Sequence, residues 1–325
     1  MKKRILSGMR PTGKLHIGHY VGALENWIKL QDEYSNYHLI ADYHVLTTSL
    51  DTSEIYNNSI EMVIDWLAAG LDAEKAPIFR QSQIKEHTEL FLILSMLITK
   101  ARLERNPTLK EQVRDLNIEN LIYGHLGYPV LQSADIMLYK GEAVPVGDDQ
   151  VPHVEITREI ARKFNSQYGE VFPEPEPLLT NFARLPGLDG QAKMSKSLNN
   201  TILLSDEPEI VNAKMKKAVT DVLKVRRNDP GRPEICLVFT YHQKFNPTEV
   251  DEIAANCRSG ALGCVECKAK CSAKINEFLA PIIDRRKYYE SNLDLVKDIL
   301  VNGEKIAHQT AHETMVEVRT KMKLG

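Results

Sequence analysis

The chain has 325 residues, 41 Lys and Arg against 44 Asp and Glu, and a formal charge of −3. With 43% hydrophobic and 26% charged residues it has the composition of an ordinary globular protein, which excludes collagen-like and disordered classes. The length admits two domains, and the near-neutral total leaves any nucleic-acid contact to a local basic surface.

Residues 1–8 carry charge but no apolar run of signal-peptide length. Residues 3–8 read as a strand and 18–30 as a helix. Residues 37–42 read as a short strand. The stretch 52–70 has helical spacing, with Ile55, Ile60, Val63, Ile64 and Leu67 on one stripe. A strand over 77–81 and a buried helix over 86–100 follow. The longest apolar run, 90–98, is too short to span a bilayer. A cytoplasmic protein with no membrane partner is therefore expected. A helix over 120–139, a strand over 143–146 and a helix capped by Asp148 or Asp149 complete the alternation. Such alternation predicts an α/β fold, a doubly wound parallel sheet with helices on both faces. Residues 172–177, with alternating prolines, read as a linker or edge segment. Beyond Asp206 the pattern turns helical, over 207–221, 247–258, 265–279, 281–302 and 303–323. Two domains are expected, 1–205 and 206–325.

Two distant stretches call for one ligand. The first is Pro11-Thr12-Gly13-Lys14-Leu15-His16-Ile17-Gly18-His19, between a strand and a helix. Open α/β sheets bind ligands at the carboxyl ends of their strands, and a helix start there offers unpaired N–H groups to phosphate oxygens. His16 and His19 would flank the phosphates as donors, and Gly18 removes a side chain where a purine or ribose comes close. The second is Lys193-Met194-Ser195-Lys196-Ser197, preceded by the loop Gly187-Leu188-Asp189-Gly190. Such a loop can bring two ammonium groups onto a leaving pyrophosphate, where they lower the barrier. Each stretch alone is explained by capping or by a solvated basic loop. Together, in this order, they predict the binding and chemistry of a triphosphate.

The five cysteines, Cys236, Cys257, Cys264, Cys267 and Cys271, all lie in the last third. An odd, clustered set argues against a disulfide framework and for zinc or an iron–sulfur cluster. Two basic stretches lie in the same region: Lys214, Lys216, Lys217, Lys224, Arg226 and Arg227, then Lys268, Lys270, Lys274, Arg285, Arg286 and Lys287. Tyr288 and Tyr289 follow and could stack on unpaired bases. By composition alone these runs are solvated helix faces.

The His-Ile-Gly-His and Lys-Met-Ser-Lys-Ser pair resembles that of the class I aminoacyl-tRNA synthetases. Ser7–Gly13 in full (Ser-Gly-Met-Arg-Pro-Thr-Gly), Tyr20-Val21-Gly22-Ala23-Leu24, Tyr128-Pro129-Val130-Leu131-Gln132-Ser133-Ala134-Asp135 and Gly147-Asp148-Asp149-Gln150 resemble the bacterial tryptophanyl-tRNA synthetases. The likeness runs from Arg4 to the C-terminal tail. It implies a Rossmann-like catalytic domain followed by a helical anticodon-binding domain. It implies ATP and Mg²⁺, L-tryptophan and tRNA(Trp), and a homodimer. In the implied reaction the amino-acid carboxylate attacks the α-phosphate of ATP, pyrophosphate leaves, and the aminoacyl group passes to tRNA.

The resemblance makes His16, His19, Lys193 and Lys196 the catalytic groups. It puts Arg10, Pro11, Thr12, Gly18, Lys110, Gly147, Asp148, Asp149, Leu185, Met194, Ser195 and Ser197 with them against the nucleotide. It makes Asp135 the acceptor for the indole N–H, a donor with no acceptor capacity. Tyr128 and Gln150 would hold the α-amino group, and Leu6, His44, Gln132, Val144 and Val146 would line the slot. Leu6, Arg10 and Gln132 depart from the family's usual aromatic residue, glutamine and methionine. Some members resemble the cysteine region too and carry a [4Fe–4S] cluster. This assigns Cys236, Cys257, Cys264 and Cys267 as ligands, Cys271 as spare, and zinc as the alternative. Three rivals stand beside this reading: the tyrosine enzyme, a tRNA-independent nucleotidyltransferase of the same fold, and a non-catalytic iron–sulfur nucleic-acid-binding module.

Overall fold

The computed structural model describes residues 2–115, 117–179, 185–190, 194–196 and 198–324. Five strands, β1 (Arg4–Met9), β2 (Ser35–Ile40), β3 (Ile78–Arg80), β4 (Ala143–Val146) and β5 (Glu176–Leu179), form one sheet in the order β3-β2-β1-β4-β5. Every pairing is parallel; Ile5 of β1 faces Asn36 of β2 on one side and Ala143 of β4 on the other. The chain starts in the middle, winds outward to β3, then crosses back to β4. That reversal opens a crevice beyond the carboxyl ends of β1 and β4. Pro177, which has no N–H to donate, sits in the edge strand β5, where the ladder tolerates it.

Between β1 and β2 run α1 (Ile17–His19), a π-helical turn (Tyr20–Leu24) and α2 (Glu25–Leu30). α3 (Ile55–Ala69) leads into β3. α4 (Glu86–Ser95), α5 (Lys100–Glu104), α6 (Pro107–Asp115) and α7 (Tyr123–Leu138) lead back to β4, and α8 (Val151–Tyr168) joins β4 to β5. Side chains alternate across the sheet: Ile40 and Ile78 join one apolar cluster, Leu39 and Phe79 the other. The helices beyond residue 205 are α9 (Pro208–Lys217), α10 (Leu237–Phe245), α11 (Val250–Ser259), α12 (Cys264–Glu290) and α13 (Leu293–Met322). They enter both clusters. Cys271, Ile275 and Leu279 of α12 join the first, and Ala307, Ala311 and Met315 of α13 join the second.

Several boundaries differ from expectation; the helix expected over 207–221, for one, ends at Lys217. The helix expected over 86–100 stops at Ser95 and resumes as α5 after the Thr99 side chain caps it. Pro281 lies inside α12 rather than starting a helix; the break falls at Ser291 and Asn292. Packing of α12 along α3 offsets the hydrogen bond that Pro281 cannot donate. Gly303 also begins no helix. It sits within α13, where a Cβ would lie 2.0 Å from the carbonyl oxygen of Ile78. Its missing side chain lets α13 lie directly on β3. Gly303→Ala is expected to cost about 1–3 kcal/mol through this overlap. Urea unfolding measures it, and an unchanged midpoint would contradict the close approach.

Candidate active site

The loop after β1 is held tightly. Gly13 has φ +77°, in the left-handed region, and a Cβ there would meet Asn58 Oδ1 at 2.7 Å. His16 is the extended N-cap residue of α1. Its N–H donates to His19 Nδ1 at 3.2 Å, and the two ring centroids lie 3.7 Å apart with the planes tilted by 31°. Because His19 Nδ1 accepts, its Nε2 carries the proton and is a donor. A Cβ on Gly18 would lie 2.9 Å from both His16 Nδ1 and Met194 Sδ. Gly18 therefore lets the two stretches touch, a reason the sequence did not reveal. The π-helical turn that follows widens the helix beside the site, a common feature of functional helices.

The second stretch is fastened to the first through its tail. Ile17 N–H donates to Ile202 O and Leu204 N–H to Leu15 O, both at 2.9 Å, making His16 and Leu203 an antiparallel bridge. Ser195 N–H donates to Asn200 Oδ1 at 2.7 Å, and Asn200 Nδ2 to Asp189 Oδ1 at 2.9 Å. Met194 is buried. Lys196 Nζ donates to the carbonyls of Thr12 and Lys14, the latter at 2.9 Å. Burial lowers its pKa. Lys193 and Ser197 lie outside the described residues. Leu185 turns its side chain into the core, so only its backbone can meet a nucleotide. Asp148 and Asp149 are exposed after β4, and Gly147 is close-packed, its Cβ position 2.8 Å from Asp149 Oδ1. Lys110 is exposed on α6.

Beside Arg10, at the carboxyl ends of β1 and β4, is a cavity of about 260 Å³. Leu6, His44, Tyr128, Gln132, Asp135, Val144 and Gln150 line it. Val146 is buried near β4's end and is not on its wall. Tyr128, Gln132 and Asp135 reach it together because positions i, i+4 and i+7 share one face of α7. Arg10 also lines it, with its guanidinium on the Thr48 hydroxyl. Thr47 and Gln112, which the sequence did not single out, complete part of the wall.

Asp135 is 2% exposed. Its Oδ1 accepts from Gln81 Nε2 at 2.7 Å and His87 Nδ1 at 2.6 Å; its Oδ2 pairs with His44 Nε2 at 2.8 Å. Burial alone would raise its pKa, but the hydrogen bonds and fields of His44 and His87 outweigh it and bring it down to about 2. A second relay orients Tyr128. The Thr108 N–H, which can only donate, fixes Asn106 Oδ1 at 3.0 Å, so Asn106 Nδ2 faces His153 Nδ1 at 2.9 Å. His153 Nε2 therefore holds the proton and donates to the Tyr128 hydroxyl at 2.8 Å. Burial holds His153 down to about 4, in its neutral form. His87, Gln81, Asn106 and His153 stand alone in the sequence with no motif around them. Only tertiary packing identifies them.

Four cysteines gather at helix ends: Cys236 before α10, Cys257 near the end of α11, and Cys264 and Cys267 in the first turns of α12. Burial pushes the Cys267 thiol up to about 12, helped by the fields of Cys236, Cys257 and Cys264. All five cysteines are free of disulfides. Among the described residues no group of three or more His, Cys, Asp or Glu is arranged to hold a metal ion. The donor set fits a soft metal or cluster in kind and neighbourhood, while its present geometry encloses none. Two members of the basic stretches are turned inward. Lys224 is 8% exposed and Arg286 2%, so neither belongs to a solvated face. Among the described residues no helix is long and apolar enough to cross a membrane.

A parallel sheet, a histidine loop after its first strand and a lysine loop docked on it together define the architecture of a class I aminoacyl-tRNA synthetase. The chain belongs to the family of class I tRNA synthetases for W and Y, whose model matches residues 1–280. It is 48% identical to the tryptophan–tRNA ligase of Thermotoga maritima, over 99% of both chains. It is 43% identical to that of Aquifex aeolicus, over 99% of this chain and all of the relative. The tryptophanyl-tRNA synthetase of Campylobacter jejuni, solved with ADP and tryptophan, superimposes with a TM-score of 0.87 at 32% identity, over 99% of this chain and 100% of that one.

Asp135 also predicts an acid limb of stability. Its pKa falls from the ordinary 3.8 to about 2 on folding, so its contribution is full above pH 3.8 and is lost as pH falls toward 2. Thermal unfolding of the Asp135→Asn variant should show a flatter loss across that window and lower stability at pH 7. An unchanged acid limb would mean that the carboxyl is not held ionised.

Proposed function

We infer that the chain activates L-tryptophan with ATP, giving tryptophanyl-adenylate and pyrophosphate, and then transfers the aminoacyl group to tRNA(Trp). The observation that carries this reading is the buried, ionised Asp135 in a cavity that opens beside the joined histidine and lysine stretches. Relatives named tryptophan–tRNA ligase, matched from end to end, support it.

In the first step the tryptophan carboxylate oxygen bonds to the α-phosphorus and the bond to the β-phosphate bridging oxygen breaks. His16 and His19 donate to phosphate oxygens, the latter through Nε2. Lys193 and Lys196 neutralise charge growing on the leaving pyrophosphate, with Lys196 leaving its carbonyl partners to do so. Arg10, Pro11, Thr12, Gly18, Lys110, Gly147, Asp148, Asp149, the Leu185 backbone, Met194, Ser195 and Ser197 complete the nucleotide contacts. Mg²⁺ would come bound to the triphosphate and would offset part of its charge. Oδ2 of Asp135 keeps acceptor capacity beyond its bond to His44, and the indole N–H takes it. Tyr128 and Gln150 hold the α-amino group. Leu6, His44, Gln132, Val144 and Val146 shape the slot.

Residues 1–205 form the catalytic domain in this reading, and 206–325 the part that meets the anticodon, through the exposed members of its basic stretches. The molecule works in the cytoplasm as a homodimer. Cys236, Cys257, Cys264 and Cys267 hold a [4Fe–4S] cluster, with zinc as the alternative. Either would tie the ends of α10, α11 and α12 together.

ATP–pyrophosphate exchange should depend on tryptophan. Exchange with tyrosine and none with tryptophan would reject the specificity, and exchange without transfer to tRNA would favour the nucleotidyltransferase. Lys196→Ala should slow exchange by roughly 10²–10³-fold, the cost of losing one aimed charge-stabilising group. Protein purified without oxygen should be brown, with iron and sulfide by analysis. Colourless protein containing zinc would overturn the cluster.

A further inference from the structure

One buried ion pair outside the cavity touches the loop that carries His16. Asp65 of α3 is fully buried, and its Oδ2 accepts the backbone N–H of Leu15, the residue before His16, at 2.6 Å. Its Oδ1 accepts from Nη1 of Arg286 on α12. The same guanidinium is held by Glu61 of α3 through Nη2, and Glu290 lies 3.1 Å from its Nε. Among the described residues, Lys196 and Asp65 also feel each other's field. Next to Arg286, Arg285 Nε donates to the carbonyl of Ala68 near the end of α3, at 2.6 Å.

We propose that Arg286 is a positioning residue for the nucleotide loop: it keeps Asp65 ionised, so that a full negative charge grips the Leu15 N–H and fixes where His16 and His19 present their donors. This rests on the reading that the loop holds ATP. A carboxylate in so dry a place takes up a proton unless a cation faces it. Burial pushes the Asp65 carboxyl up to about 6 even against the pull of Arg286 and of the Leu15 N–H. Without the guanidinium, whose field is the largest influence holding it down, it would rise further. A hydrogen bond to a neutral acid is about half as strong as one to a carboxylate. The Glu61 pair would suffice to staple α12 onto α3, while Glu290 braces Arg286 from within α12. Asp65 adds something a staple does not need, a second oxygen aimed at the loop. The helices beyond residue 205 thereby gain a direct hold on the nucleotide loop.

The test is tryptophan-dependent ATP–pyrophosphate exchange of the full chain from pH 5 to 9, with tryptophan affinity measured separately by equilibrium titration. Absence of exchange in the unsubstituted protein would sink the ATP reading itself, which separates that failure from this one. In an active protein, Arg286→Met should raise the KM for ATP by roughly tenfold at pH 7. It should move the acid limb of kcat/KM up by about one pH unit or more, with recovery toward pH 9. Tryptophan affinity should stay within about twofold, since Asp65 does not reach the cavity. Arg286→Lys should restore the position of the limb, and Glu290→Gln should leave it in place. A uniform loss at every pH, or an unmoved KM for ATP in the folded variant, overturns the proposal. If Arg286→Met does not fold, Asp65→Asn decides. An isosteric amide that cannot ionise should abolish the limb, and retention of the original limb overturns the proposal.

Discussion

The short antiparallel bridge between His16 and Leu203 is the constraint on which the site depends. Its two hydrogen bonds, Ile17 to Ile202 and Leu204 to Leu15, join segments nearly two hundred residues apart. A loop that carried its lysines freely would have to find the phosphates anew at each turnover. Here the tail of the lysine stretch is part of the histidine loop's own hydrogen bonding, and Gly18 leaves room for Met194 against His16. In the proposed mechanism the Lys196 side chain exchanges its loop carbonyls for phosphate oxygens. Catalysis by positioned charge requires this kind of prior order, because donors fixed in advance need no reorganisation in the transition state.

The sheet supplies the other half of that order. Its strand reversal opens the crevice between β1 and β4, and α7 presents Tyr128, Gln132 and Asp135 to it from one face. The polar groups of the cavity are braced from behind, Asp135 by His44, His87 and Gln81, and Tyr128 by His153 and Asn106. Such bracing sets proton positions as well as side-chain angles. Asp135 is kept an acceptor, and Tyr128 receives a hydrogen from His153. A cavity so prepared selects by whether the ligand's donors and acceptors match, since a mismatch strands a buried polar atom.

Much of this was legible in the chain because it is local. Alternating apolar runs gave β1 to β4 within two residues at each end, while β5 was read only as a linker or edge segment over 172–177. The two stretches declared themselves by their histidines, lysines and glycines. Asp135 stood on a helix with apolar neighbours. What was not legible depends on long-range packing. Nothing near His87, Asn106 or His153 marks them as braces, and Asp65 and Arg286 read as members of an amphipathic helix and a basic run. Pro281 and Gly303 were misread for a related reason. Both are helix breakers by propensity, and both are overruled by packing, of α12 on α3 and of α13 on β3.

The central claim is that groups from both stretches act on one polyphosphate. A double-mutant cycle on ATP–pyrophosphate exchange, with His19→Ala, Lys196→Ala and the pair, tests it most directly. If both groups bear on the same phosphates, the double variant should be less impaired than the product of the single losses, with a coupling of about 1 kcal/mol or more. Strict additivity would mean that the imidazole and the ammonium serve separate ligands, and would contradict the account.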